Sequence, residues 1–248
     1  MARSVVAVVV ASVAAVAIVH GQMAHRLKGS IRTTANVALG GAAVRADAIT
    51  GFRGEPFAGA KEQSATSLPS GEWNITNLEA GLWMFSASAP DMVPAAIVIP
   101  VKFSQRQQVS AVGNAINWQL PMWAMPLNEH QVLKTAIDLL AAGKPEEAAQ
   151  ALTVALAPDT KDETRVGAGE MALIARQHAL ARTLFDMVLQ KDPKHPRAKL
   201  GSAGAALMAM QWEAAGKIIW DARELAPREQ RPALAAAIDD LRAIARIQ

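Results

Sequence analysis

The chain has 248 residues, of which 51% are hydrophobic, 4% aromatic and 19% charged, with a formal net charge of +3. That charge is evenly spread: residues 22–127 carry 8 basic and 6 acidic side chains, and residues 128–248 carry 16 of each. This excludes a polyanion-binding domain, and with it a nucleic-acid partner. The absence of cysteine excludes disulfides, thiolate metal sites, thiol nucleophiles and a lipidated cysteine.

In chain order, Arg3 precedes an apolar run from Val5 to Val19, and the small residue Gly21 follows. Residues 1–21 therefore read as a secretory signal peptide, which predicts an exported protein, periplasmic or on the outer surface. The run is shorter than the about 20 residues a membrane span needs. The second reading is a short tilted anchor, in which residues 5–19 contact the membrane. Arg26, Lys28 and Arg32 lie just beyond, where basic residues oppose translocation.

Residues 26–115 show period two. "LKGSIRT", "AAVRADA", "EWNITNL", "LWMFSAS" and "PAAIVIPVKF" are separated by glycine, proline and serine clusters, the signature of short strands in an antiparallel sandwich. In "EWNITNL", Trp73 and Ile75 share one face and Asn74 and Thr76 the other, so the aromatics are expected in the core. Gly81 supplies the next reversal. Gly29, Ile31, Gly41, Ala42, Val44, Gly71, Trp73, Ile75, Leu78, Gly81 and Trp83 together resemble the carboxypeptidase regulatory-like domains over roughly residues 27–103. That resemblance implies a transthyretin-like β-sandwich and an accessory or surface-binding role, and the zinc domain such modules accompany has no counterpart here. The insertion "AITGFRGEPFAGAKEQ", residues 48–63, is read either as a partner-docking loop presenting Phe52, Arg53 and Phe57 or as a loop pinned by its own phenylalanines.

Residues 116–128, "INWQLPMWAMPLN", read as an extended linker in which Pro121 and Pro126 block helix. Trp118, Met122, Trp123 and Met125 fit interdomain packing, partner contact or, least well, thioether copper ligation.

From residue 129 the chain repeats. "RQHALARTLFDMVLQKDP" (176–193) superposes on "MQWEAAGKIIWDARELAP" (210–227) at an offset of 34, and "GKPEEAAQALTVALAPD" lies one further copy upstream at 33. That period resembles the tetratricopeptide family and predicts helix pairs over 129–158, 162–193 and 196–227, with small residues at Ala136, Gly169 and Ala203 where paired helices touch. Asn128 with Gln131 and Thr160 with Glu163 read as capping boxes, and Pro145, Pro196 and Pro232 as first-turn residues. Residues 232–247 read as a terminal capping helix on Leu234, Ile238, Leu241 and Ile244. The fold class is thus mixed, with two domains: an all-β sandwich, then an all-α tetratricopeptide-like array.

Carrying over the family's inward-facing positions gives a groove lined by Leu133, Ile137, Leu140, Val166, Glu170, Leu173, Arg197, Leu200 and Leu207. It suits an apolar helix or strand, supplied by a protein partner or by the chain itself. Zinc-protease, nucleophile-elbow and phosphate-loop motifs are missing. "GAGEMA" (167–172) falls inside a repeat helix and not after a strand. The histidines have no ligand spacing, and the adjacent Asp239 and Asp240 diverge on a helix. The sequence therefore points to a non-enzymatic scaffold or accessory subunit without cofactor, binding protein partners in a larger extracytoplasmic assembly. The other reading is a carbohydrate-binding surface module using Trp73 or Trp83.

Overall fold

The computed structural model describes residues 25–51, 54–55, 62–79, 81–101 and 115–225, with 228, 231 and 235 beyond them. The first part is β1 (His25–Thr33), β2 (Ala43–Thr50), β3 (Glu62–Thr66), β4 (Glu72–Leu78), β5 (Gly81–Ser88), β6 (Met92–Val93), β7 (Ala95–Val101) and β8 (Ala115–Pro126). They form two four-stranded sheets, ordered β4-β1-β8-β6 and β3-β2-β5-β7. Alternation decides which side chains lie between them. Leu27 and Ile31 of β1, Val44 and Ala46 of β2, Trp73 and Ile75 of β4 and Trp83 and Phe85 of β5 are all buried. Trp73 stacks on Phe85 across the two sheets, with ring centroids 5.4 Å apart. Gly29 pairs with Trp73 in the β1–β4 ladder, and a side chain there would collide with the indole, so glycine lets the ring lie flat on the neighbouring strand.

The expected linker is a strand. Residues 115–126 form β8, which runs parallel to β1, with Leu27 opposite Ile116 and Ile31 opposite Met122. Pro126 is paired with Met92 of β6, whereas Pro121 lies opposite Ser30 of β1 with no second strand beside it among the described residues.

The second part is α1 (Lys134–Ala141), α2 (Pro145–Leu152), α3 (Asp162–Ile174), α4 (His178–Lys191), α5 (Pro196–Met208) and α6 (Trp212–Leu225). The repeat is visible in the backbone as well as in the sequence. Each first helix ends on a residue with positive φ, namely Gly143 (71°), Arg176 (61°) and Met210 (56°). Each end is closed by the same pair of bonds: Gly143, Arg176 and Met210 donate to Leu140, Leu173 and Leu207, and Lys144, Gln177 and Gln211 donate to Leu139, Ala172 and Ala206. This is the Schellman closure, three times at spacings of 33 and 34. Gly169 and Gly201 both press against the Phe185 ring of α4, which is why the helices approach closely there. Pro145 and Pro196 occupy first turns. The capping boxes do not form: α3 is preceded by Lys161 with no side-chain cap, and Asn128 and Gln131 lie in two 3-10 turns, Leu127–Glu129 and Gln131–Leu133. The expected capping helix, residues 232–247, lies outside the described residues except for Ala235, which is helical.

One continuous apolar core runs through both halves. Among the described residues no helix is long and apolar enough to cross a membrane.

Candidate functional site

The inward positions of α1, α3 and α5 are where a repeat array of this kind would receive a segment, and here β7 lies against α3 and α5. Leu133, Val166, Leu173 and Leu207 are fully buried, while Ile137, Leu140 and Leu200 are half-buried. A side chain at Gly204 of α5 would meet Val98 of β7 at 3.4 Å, and one at Gly167 of α3 would meet Val93 at 3.2 Å and run into Met125 of β8. Over α3 and α5 the groove read from the sequence is therefore filled by the chain itself. β7 is also fastened to β5 through seven residue pairs, so the occupant belongs to the sheet.

Two of the expected groove residues form a buried ion pair at this seam. Arg197 Nη2 donates to Glu170 Oε1 at 3.0 Å and to the Trp123 carbonyl oxygen of β8 at 3.3 Å, and Nη1 donates to Glu163 Oε2 at 3.1 Å. The Arg197 side chain is 11% exposed and that of Glu170 8%. Burial pushes the Glu170 carboxyl above the usual carboxylate range, against the charge and hydrogen bond of Arg197 and the Ala96 backbone amide of β7, which pull it down. Glu170 Oε2 and Arg197 Nε reach no hydrogen-bond partner among the described residues. Glu163 is held below the usual range by the hydrogen bond from His195 first, with Arg197 assisting and burial opposing. His195 caps α5 through Nδ1, which accepts from the Ala198 amide at 3.2 Å, so its Nε2 carries the proton donated to Glu163 Oε1.

His130, Glu163 and Arg197 are spaced by 33 and 34 residues, equivalent points of three successive repeats. His130 lies between the two 3-10 turns that lead from β8 into α1. It is 6% exposed, and its Nδ1 stands 2.8 Å from Thr164 Oγ1 of α3. Burial pushes its pKa down, with the Lys161 and Arg197 charges acting in the same sense and the Glu129 and Glu163 charges opposing.

No family model and no curated relative matches the chain. Among solved structures, it is similar to PcrH from Pseudomonas aeruginosa, at 19% identity and a TM-score of 0.37 over 46% of this chain and 89% of that one. It is also similar to the type III secretion translocator chaperone SycD of Yersinia enterocolitica, at 19% and 0.39 over 48% and 86%. A third is the Sgt2 TPR domain of Aspergillus fumigatus, at 15% and 0.40 over 48% and 80%. These likenesses cover the helical half.

The other expected contact residues are dispersed. Phe52, Arg53 and Phe57 lie outside the described residues, as does the Trp118 side chain. Trp123 is half-buried and acts through its carbonyl oxygen. Trp73 and Trp83 are buried, at 4% and 0% exposure, so neither can serve as a sugar-stacking platform. Among the described residues no group of three or more histidines or carboxylates is placed to hold a metal ion. What the sequence did not reveal was a set of exposed apolar side chains: Met210 and Trp220 in the helical half, and two closer pairs. Val37 is 60% and Leu68 58% exposed, and Val132 is 54% and Val154 45% exposed. The first two lie on adjoining loops, where Gly40 abuts Leu68 and Pro69. The second two lie at one end of the first hairpin, just before α1 and just after α2. These four carry no periodic signal because each belongs to a turn.

Proposed function

We propose that this protein is a non-catalytic, exported scaffold or accessory subunit that binds protein partners in an extracytoplasmic assembly. In this reading a carboxypeptidase regulatory-like, transthyretin-like sandwich is braced on a tetratricopeptide-like array. The observation that carries it is the division of apolar surface. The inner face of the array is spent on the chain's own β7, while large apolar side chains stand exposed at the sandwich tip and on the first hairpin. Partner contact then uses the outer surface, where Leu68 with Val37, or Val132 with Val154, supplies a small apolar centre within a polar surround.

The test is affinity purification of the tagged chain from its native membranes, alongside Val37→Ser/Leu68→Ser and Val132→Ser/Val154→Ser variants. Mass spectrometry then identifies partners and the N-terminus. A co-purifying complex lost in one variant, with unchanged circular dichroism and melting, supports the reading. A lone protein, or a complex indifferent to both variants, refutes it. An N-terminus beginning near residue 22 supports cleavage of the leader, and an intact Met1 supports the anchor.

A further inference from the structure

The join between the two halves is built around one titratable side chain. β8 ends at Pro126, two 3-10 turns follow, and the backbone between them passes through His130 at φ −134° and ψ 39°. Neither turn has a side-chain cap. Besides the buried Leu133 and the bond from the Leu127 amide to the Asp91 carbonyl, the join is held by the His130 imidazole, turned inward against Thr164 in the first turn of α3. We propose that this join is a proton-operated hinge, with His130 as the pin that holds the first hairpin and the end of β8 against the second repeat.

The groups around the pin set its response. The turn before it contributes Glu129, α3 and its preceding residue contribute Glu163 and Lys161, and α5 contributes Arg197. Glu163 is already engaged by Arg197 and His195, so it is not free to swing towards an imidazolium. Lys161 and Arg197 repel one. The hydrogen bond to Thr164 survives protonation, because a hydroxyl accepts as readily as it donates. The cost of protonation is therefore the charge itself at that depth, and the ring escapes it by leaving the pocket. Opening the join takes up a proton and becomes easier as pH falls below 6.5, the ordinary histidine value. Glu163 would also take up a proton on opening, at much lower pH, and Glu170 would release one, so the histidine contribution must be isolated by substitution.

The experiment is amide hydrogen exchange on the full chain from pH 7.5 to 5.0, corrected for intrinsic rates. Amides of residues 131–137 are compared with those of α4, which is remote from the join. The expected result is faster opening of 131–137 by up to about tenfold per pH unit below 6.5, since one proton is linked to the step, with α4 unchanged. His130→Gln, which keeps a partner for Thr164 and does not titrate, removes that acceleration. An NMR titration of the His130 ring in the unsubstituted protein gives a second reading, expected below 6.5. A midpoint at or above 6.5, no acceleration in the parent, or the same acceleration in His130→Gln overturns the proposal.

Discussion

Replacing Arg197 by alanine is the most informative perturbation of the seam. The guanidinium supplies three contacts at 3.0–3.3 Å, to Glu170, Glu163 and the Trp123 carbonyl, and both it and Glu170 are almost withdrawn from solvent. Removing one partner of such a pair leaves a buried charge uncompensated, which costs about 3–5 kcal/mol. Glu170 can limit that loss by protonating, and burial already pushes its carboxyl upward. The penalty of Arg197→Ala should therefore be smaller at pH 5.5 than at pH 8. Replacing both partners with apolar residues, as in Arg197→Met/Glu170→Leu, removes the buried charge altogether and should return most of the stability. Urea denaturation followed by tryptophan fluorescence and far-ultraviolet circular dichroism reads Arg197→Ala and, as a double-mutant cycle, the parent, Arg197→Met, Glu170→Leu and the double variant. A single variant within about 1 kcal/mol of the parent, or a double variant as unstable as the sum of the singles, would show that the seam is not held by this pair.

Three other outcomes are expected. Gly169→Ala would place a methyl 2.7 Å from the Phe185 ring and should cost about 1–3 kcal/mol, partly recovered by Phe185→Leu in the same chain; additive effects of the two in thermal melts would refute the contact. Gly143→Ala meets no neighbour, so its cost of about 1–2 kcal/mol would come from the positive φ alone, and an unchanged melting temperature would contradict that conformation. Because Glu163 is held below its ordinary value of 4.5 by His195 and Arg197, it contributes stability that is fully present above that pH and is lost as pH falls through its lower folded value. Glu163→Gln should flatten the urea midpoint against pH in that acidic range, and an equally steep curve would show that the carboxylate is not responsible.

Much of the fold was legible because it is written in periods. Trp73 and Ile75 declared the inner face of β4 by alternation, and Ala181, Phe185 and Val188 declared the buried stripe of α4 by recurrence at 34. β3 was missed because "EQSAT" is polar apart from Ala65: it is an edge strand and three of its five residues are exposed. β8 was missed because two prolines outweighed its alternation, and only the tertiary arrangement reveals that β1 runs beside this segment. The seam was legible in part. Glu170, a carboxylate among Val166 and Leu173, and Arg197, 27 residues later, were identified as inward-facing. Their pairing, and the strand lying over them, depend on long-range packing that no local pattern encodes.

The parallel pairing of β8 with β1 has a consequence for synthesis and for dissection of the molecule. The earliest strand gains its second neighbour only after some 80 further residues have been made, so Leu27 and Ile31 wait beside an open sheet margin until the segment at 115–126 arrives. A fragment ended at the composition break near residue 115 would keep that margin permanently bare and expose backbone that readily recruits other chains. The smallest piece that completes both sheets extends through Pro126, where the chain is already turning into the first helix pair, so the two halves share their boundary residues.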